Sequence, residues 1–112
     1  MAEERTHHII LSGFVDPEFG LNLKNVTDQL RAKPKDQYDL LVAHVDSPGG
    51  DVFAGYAIYN LLNSFDKPIE FNILGMCGSI MTLIVGAKGK DAKVVMNKEV
   101  GQFMIHNAWG GA

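Results

Sequence analysis

Cysteine and tryptophan each occur once in this chain of 112 residues. The single cysteine, Cys77, excludes an internal disulfide and is compatible with a reducing compartment. No run of lysine or arginine exceeds two residues, the net charge is −3 and the pI is near 5.7, so nothing indicates a nucleic-acid-binding surface. The histidines and acidic residues show no metal-ligand spacing. We therefore predict a protein without a structural disulfide, a bound metal, a cofactor or a nucleic-acid partner.

A secretory signal and a membrane span are also not predicted. Residues 1–5 are charged and lack the basic and apolar regions of a secretory signal. Residues 71–87 carry no charge and reach only the lower limit of length for a membrane span. Gly75, Gly78 and Gly86 interrupt this stretch, which favours a strand followed by a helix. A cytoplasmic location is expected.

The apolar content, 46% of the residues, is enough for a packed core, and the length fits one small domain over residues 1–112. Short apolar runs predict strands at 8–15, 39–45, 68–74, 92–96 and 102–105. Apolar residues at helical spacing predict helices from Leu23 to before Pro34, over 51–65 and over 79–87, with a tight loop at 75–78. This alternation favours an α/β domain with parallel strands.

One glycine-rich loop, Ser47-Pro48-Gly49-Gly50, lies between a predicted strand and a predicted helix. Glycine accepts positive φ and leaves no β-carbon in the way, so amide groups of this loop can point into a cleft. Fixed N–H donors of this kind form half of an oxyanion hole. The alternative interpretation is a simple turn between a strand and a helix.

Ser79 follows a second glycine-rich segment and precedes an apolar stretch. A serine in this position is well placed as a nucleophile, and the amide of Ile80 can donate to an oxyanion. The alternative is that Ser79 only caps the following helix. The G-x-S-x-G pattern of α/β-hydrolases is not present. Cys77 is a weaker candidate nucleophile, because a lone cysteine in an apolar sequence is usually inert.

His106 ends an apolar strand and precedes a glycine-rich segment. A neutral imidazole at this point can take the serine proton and return it to a leaving amine. The alternative is a histidine at the surface. His7 and His8 lie near the terminus, and His44 lies inside an apolar strand, where a packed core or interface position is expected.

These segments together resemble the Clp protease proteolytic subunit (ClpP) family. The matching motifs, in chain order, are Asp46-Ser47-Pro48-Gly49-Gly50-Asp51-Val52, Gly55-Tyr56-Ala57-Ile58-Tyr59, Gly75-x-x-x-Ser79 and Met104-Ile105-His106. The segment His106-Asn107-Ala108-Trp109-Gly110 is similar to the ClpP-like head-maturation proteases of phages and prophages. The resemblance covers nearly the whole chain, although Gly78 stands where the family usually has alanine.

The resemblance implies the ClpP/crotonase fold, a right-handed spiral of β-β-α units. It implies that Ser79 attacks the peptide carbonyl, that His106 is general base and then general acid, and that the amides of Gly50 and Ile80 bind the oxyanion. On the same basis we assign substrate binding to Gly49, Val52 and Asn107. It further implies a polypeptide substrate, assembly into a homo-oligomeric ring, and an AAA+ unfoldase or capsid proteins as partners.

The third member of the family's triad, an aspartate, would follow a long helix after the histidine. Only six residues follow His106, and none of them is acidic. The orienting carboxylate is worth roughly 10⁴ in kcat, so we expect weak or no proteolysis from this chain by itself. We expect a fragment, a split gene product or a form whose acid comes from elsewhere.

Three other hypotheses remain open. The first is a Ser–Lys peptidase on the same fold, with Lys88, Lys90, Lys93 or Lys98 as the base. The second is a crotonase-type acyl-CoA enzyme in which paired amides hold an enolate. The third is an inactive assembly module that keeps the fold without the chemistry.

Overall fold

The computed structural model describes residues 5–88 and 91–96, together with the backbone of residues 102–104. Strands and helices alternate along this part of the chain, with a 3-10 turn at Lys35–Gln37. In chain order the elements are β1 (Thr6–Ser12), α1 (Leu23–Arg31), β2 (Leu40–Ser47), α2 (Val52–Asn63), β3 (Ile69–Gly78), α3 (Met81–Ile84), β4 (Ala92–Met96) and β5 (Gln102–Met104).

All strand pairs of the sheet are parallel. The spatial order is β1-β2-β3-β4, and β5 also pairs with β3. Parallel neighbours require a crossover between them, and α1 and α2 supply the crossovers from β1 to β2 and from β2 to β3. The α/β fold with parallel strands that the alternating pattern predicts is therefore confirmed.

The third strand changes its partner along its length. Its first half, Ile69 to Ile73, pairs with β4, whereas Met76 to Gly78 pairs with β5. Between these halves the register with β2 shifts, so that Val45 lies opposite Ile73 but Ser47 lies opposite Cys77. The irregularity lies between Ile73 and Cys77, in the half of the strand that leads to Ser79, and such irregularities increase the local twist of a strand.

The core lies on the side of the sheet that carries α1 and α2. In β1, His7, Ile9 and Leu11 are buried while the alternate residues are open to solvent. The buried side chains of the two helices, Val26, Ile58 and Leu62, belong to the same apolar cluster. The opposite face of the sheet has no helix over it in the described part of the chain, and Ile10 on that face is 58% exposed.

Local signals explain where the two long helices begin. The side chain of Asn22 accepts a hydrogen bond from the amide of Asn25 at 2.9 Å, and that of Asp51 accepts one from Ala54 at 2.7 Å. Both are N-caps, which satisfy amides that the helix itself leaves unbonded. The apolar residues that surround α2 predict a helix that is either buried or at a subunit contact, and Phe53 on this helix is 82% exposed in the single chain.

The uncharged stretch 71–87 forms a strand and a short helix, as predicted, but the boundary is wrong. Residues 75–78, expected as a tight loop, continue β3. Met76, Cys77 and Gly78 pair with β5, and Cys77 also pairs with Ser47 of β2, which keeps the end of this segment extended. The helix after them covers only Met81–Ile84. Within the described ranges, no helix is long and apolar enough to cross a membrane.

Candidate active site

Ser79 lies between the end of β3 and the start of α3, with its side chain exposed. Its φ angle is +54°, in the left-handed region that residues other than glycine rarely adopt. The residue that caps α3 is Ile80, and the carbonyl of Ser79 accepts hydrogen bonds from the amide and hydroxyl of Thr82 at 3.0 and 2.8 Å. The alternative interpretation of Ser79 as a helix cap is therefore wrong.

A strained backbone at an exposed serine is typical of a functional site rather than of a surface turn. Such a conformation costs of order 1–3 kcal/mol and persists only where the surroundings impose it. Here the surroundings are β3 on one side and the Thr82 hydrogen bonds on the other. The sharp turn leaves the Ser79 side chain at the surface of the domain, where a substrate can reach it.

The loop at residues 47–50 packs directly against this serine turn. Gly49 has a φ of +95°, and a β-carbon there would be 2.5 Å from the Ser79 β-carbon and 2.7 Å from the Gly78 carbonyl oxygen. No residue except glycine fits this contact without displacing the turn. The structure thus brings together two of the segments that the sequence predicts as parts of one site.

The side chain of Ser47 holds this loop in place through two hydrogen bonds. Its hydroxyl is fully buried, donates to the carbonyl of Gly13 at 2.6 Å and accepts from the amide of Gly49 at 3.1 Å. The Gly49 carbonyl in turn accepts from the amide of Val15 at 2.9 Å. Both backbone groups of Gly49 are therefore used within the fold, so Gly49 acts by close packing against Ser79.

Gly50 is held by a short bridge to the segment after β1. The amide of Asp51 donates to the Val15 carbonyl at 2.8 Å, and a β-carbon on Gly50 would lie 2.3 Å from the same oxygen. Among the described residues, the amides of Gly50 and Ile80 donate no hydrogen bond to the protein. An oxyanion hole needs two free N–H donors of this kind.

Two further residues, Gly55 and Asp46, position the site, and the sequence alone indicated no such role for them. A β-carbon on Gly55 of α2 would be 2.3 Å from the Ile80 side chain, so α2 and the serine turn are in close contact. The carboxylate of Asp46 accepts from the amide of Met76 at 3.0 Å and fills the register shift of β3. The sequence does not show which residues Gly55 and Asp46 contact. These contacts become visible only once the neighbouring elements in the fold are known.

Cys77 is excluded as the reacting nucleophile. The thiol is fully buried, and burial raises its pKa to about 12. A thiol with this pKa is almost entirely protonated at neutral pH and therefore unreactive. Cys77 is instead a core residue of β3.

The predicted base, His106, and the predicted substrate-binding residue Asn107 lie outside the described residues. The described chain does lead toward them, because β5 runs parallel to the end of β3 and Met104 pairs with Gly78. Gly78 directly precedes Ser79, and Met104 stands two residues before His106. Val52, also predicted to bind substrate, is the first residue of α2 and is 46% exposed.

The lysines proposed as alternative bases divide into two groups. Lys90 and Lys98 lie outside the described residues. The Lys88 amine donates to the Phe65 carbonyl beyond the C-terminal end of α2, whereas Ser79 lies near the N-terminal end of that helix, and a helix of this length is about 18 Å long. Lys93 pairs with Glu70 near the start of β3, at the opposite end of the strand from Ser79. Neither described lysine is placed to take the serine proton.

Over residues 5–88 and 91–96, no group of three or more histidine, cysteine, aspartate or glutamate side chains is arranged to hold an ion. At Ser79 the geometry offers an exposed hydroxyl beside backbone N–H donors. This is the arrangement of a nucleophile with an oxyanion hole.

Comparison with known proteins agrees with this geometry. Over 105 residues the chain is 29% identical to the ATP-dependent Clp protease proteolytic subunit of Ligilactobacillus salivarius, which corresponds to 93% of this chain and 51% of the relative. It is 28% identical over 106 residues to the ATP-dependent Clp protease proteolytic subunit 2 of Treponema denticola, covering 95% of this chain and again 51% of the relative. The chain thus spans about half the length of the curated relatives it matches.

The fold has a solved counterpart. A point mutant of ClpP1 from Listeria monocytogenes superposes with a TM-score of 0.63 at 17% identity, over 82% of this chain and 56% of that one. The likeness confirms the predicted ClpP-type fold. The family model for Clp protease matches residues 5–112, and the chain therefore belongs to the Clp protease family.

Proposed function

We propose that this chain carries the nucleophile half of a ClpP-type serine endopeptidase site, with Ser79 as the attacking group. The observation that carries the proposal is the strained, exposed turn at Ser79, pressed against Gly49. A structural serine needs neither positive φ nor a glycine contact at 2.5 Å. The names of the relatives, which are protease subunits, support the same reaction.

The proposed reaction follows the order of acyl transfer. Ser79 Oγ attacks the carbonyl carbon of the scissile peptide while His106 takes the hydroxyl proton. The amides of Gly50 and Ile80 donate to the oxygen that becomes negative, and fixed donors there lower the barrier. His106 then returns the proton to the leaving amine, and a water molecule hydrolyses the acyl-enzyme.

The β3–β5 pairing supports the proposal that His106 is the base. Met104, two residues before His106, pairs with Gly78, the residue before Ser79. No orienting acid follows His106 in this sequence.

The proposed partners are a polypeptide substrate and further copies of the chain. Assembly into a ring would cover apolar side chains that a single chain leaves exposed, among them Phe53 and Tyr56 on α2. For the biological setting we propose either an AAA+ unfoldase partner, as the ATP-dependent relatives suggest, or the maturation of phage capsids. The segment from His106 to Gly110 favours the phage setting.

A fluorophosphonate probe tests the nucleophile directly. We expect the probe to modify Ser79 in the intact chain, and intact-mass and peptide mass spectrometry locate the adduct. Ser79→Ala abolishes the adduct, whereas the matched change Ser64→Ala, at the exposed end of α2, leaves it unchanged. A folded protein that gives no adduct at Ser79 contradicts the proposal and favours an inactive assembly module.

The same probe distinguishes the two possible bases. If His106 is the base, His106→Ala reduces the rate of Ser79 labelling by a factor of roughly 10² or more. Labelling that survives this change at the original rate contradicts the assignment and favours a lysine base. The labelling rate is measured without a peptide substrate, so the result does not depend on the rate of peptide hydrolysis.

A further inference from the structure

We propose that His8 and His44 form a binding site for a divalent transition metal such as Zn²⁺ on the face of the sheet opposite α1 and α2. The site is separate from the serine turn, since His8 lies near the start of β1 and His44 in the middle of β2. The proposal therefore does not depend on the proposed peptidase function.

The two imidazole rings meet edge to edge. Nδ1 of His8 lies 2.9 Å from Nε2 of His44, the ring planes differ by 16° and the ring centroids are 5.1 Å apart. A short contact between nitrogens combined with distant centroids means that each ring extends away from the contact. At this distance one nitrogen donates an N–H and the other accepts it, and the tautomers of the two rings decide which one donates.

The outer nitrogens of both rings also have partners. Nε2 of His8 lies 3.2 Å from the hydroxyl of Thr6, and Nδ1 of His44 lies 3.1 Å from the side-chain amide of Asn72. In metal sites, a ligating histidine usually donates its other ring N–H to an oxygen, which fixes the tautomer and the ring orientation. The Thr6 hydroxyl can accept from His8, and the Asn72 amide can accept from His44 once its oxygen faces the ring.

The strands hold the two histidines in a fixed relationship. Ile10 pairs with His44 in the parallel ladder, and His8, two residues earlier, projects from the same face as Ile10. Imidazole nitrogens bound to tetrahedral Zn²⁺ are about 3.3 Å apart, because each Zn–N bond is about 2.0–2.1 Å. Converting the N···N contact into a chelating pair requires the two nitrogens to separate from 2.9 Å to about 3.3 Å and both rings to turn until their lone pairs converge on the ion.

The other coordination positions would be open to solvent or to an additional ligand. His8 is exposed and His44 half-buried, and no helix lies above them in the described part of the chain. Alternation along β3 places Glu70 on the same face as Asn72, so a carboxylate lies on the same side of the sheet. Imidazole with water or carboxylate is a ligand set that suits zinc, nickel and copper.

Zinc titration of the tag-free chain tests this site. We expect one saturable Zn²⁺ per chain by isothermal calorimetry, with an affinity that falls at least roughly tenfold in His8→Gln and in His44→Gln. The matched control is His7→Gln, because His7 lies beside His8 but is buried on the other face and bonded to the carbonyl of Gln29. Circular dichroism verifies that each variant remains folded.

A second measurement on the unmodified chain covers the case in which a variant does not fold. Imidazole ¹⁵N resonances of His8 and His44 are expected to move together on addition of Zn²⁺, while those of His7 stay in place. The proposal is overturned if no saturable binding occurs at millimolar Zn²⁺. It is equally overturned if binding persists unchanged in His8→Gln, or if the shifts fall on other histidines alone.

Discussion

Gly49 lies so close to Ser79 that a β-carbon on the glycine would be 2.5 Å from the β-carbon of the serine. The contact joins two loops that follow neighbouring parallel strands, β2 and β3. Because these loops emerge at the same edge of the sheet, the glycine-rich loop and the serine turn support each other. The contact is also the most direct way to test the site by mutation.

Gly49→Ala is expected to abolish Ser79 labelling by a fluorophosphonate and to reduce stability by about 1–3 kcal/mol. The matched control is Gly13→Ala, since Gly13 has a similar φ of +81° but nothing within 4 Å of its missing β-carbon. Gly13→Ala thus introduces a side chain at a positive φ, as Gly49→Ala does, but creates no close contact like the one with Ser79. Equal labelling of the two variants would show that the contact is not needed, and thermal unfolding reports the stability term.

Ser47→Ala is expected to destabilise the domain by about 1–3 kcal/mol, because the change leaves the Gly13 carbonyl and the Gly49 amide without their buried partner. Urea unfolding measures the loss. Ser64→Ala removes a hydroxyl that bonds backbone carbonyls at an exposed helix end, so it should cost less. If both changes cost the same, the buried hydroxyl does not hold the loop.

Asp46 and Gly75 are expected to be energetically coupled. A β-carbon on Gly75 would lie 2.6 Å from the Asp46 carboxylate oxygen, so Gly75→Ala alone should be destabilising. Gly75→Ala should lower the free energy of unfolding by less when Asp46 is already replaced by alanine. The expected coupling energy between the two positions is about 0.5–3 kcal/mol. The double-mutant cycle compares the free energies of unfolding of the wild type, the two single variants and the double variant. If the two single changes lower this free energy additively, the contact between Asp46 and Gly75 is not supported.

The buried thiol of Cys77 should resist alkylation by iodoacetamide in the native state at neutral pH, because its pKa is raised to about 12 by burial. In denaturant the thiol becomes exposed and should react at the ordinary rate. Mass spectrometry of the alkylated chain measures both rates. Rapid modification of the folded protein would contradict the burial of this side chain.

The Asp16 carboxylate, in the turn after Val15, should make the stability of the fold depend on pH. Amides of Phe19 and Glu18 donate to the Asp16 carboxylate and lower its pKa in the folded state. A lowered folded-state pKa stabilises the protein above the unfolded value of about 3.9, and this contribution is lost as the pH falls through the lower folded value. Asp16→Asn should therefore flatten the acid limb of the melting-temperature profile.

The parts of the fold that depend on local patterns were predictable from the sequence. The helix from Leu23 ends at Arg31, before Pro34, and the strand at Ala92–Met96 has the predicted bounds. Residues 75–78 were not predictable, because glycine favours loops while pairing with two strands keeps this segment extended. Tertiary pairing overrode a local preference there.

The site was predictable only in outline. The order of the Ser47–Gly50 loop and Ser79 indicated one site, and the structure brings the two segments into contact. The left-handed backbone at Ser79 and the carboxylate of Asp46 behind Met76 had no signal in the sequence. Such features arise from contacts between strands, which a single sequence does not display. Likewise, the sequence predicted a core or interface position for His44 but did not show its contact with His8 on the neighbouring strand.

The change of partner along β3 gives its two ends different neighbours. The strand β4 pairs with Ile69 to Ile73, before the register shift. The strand β5 pairs with Met76 to Gly78, and Gly78 directly precedes Ser79. Destabilising the short strand Gln102–Met104 is therefore expected to disturb the serine turn more than destabilising β4.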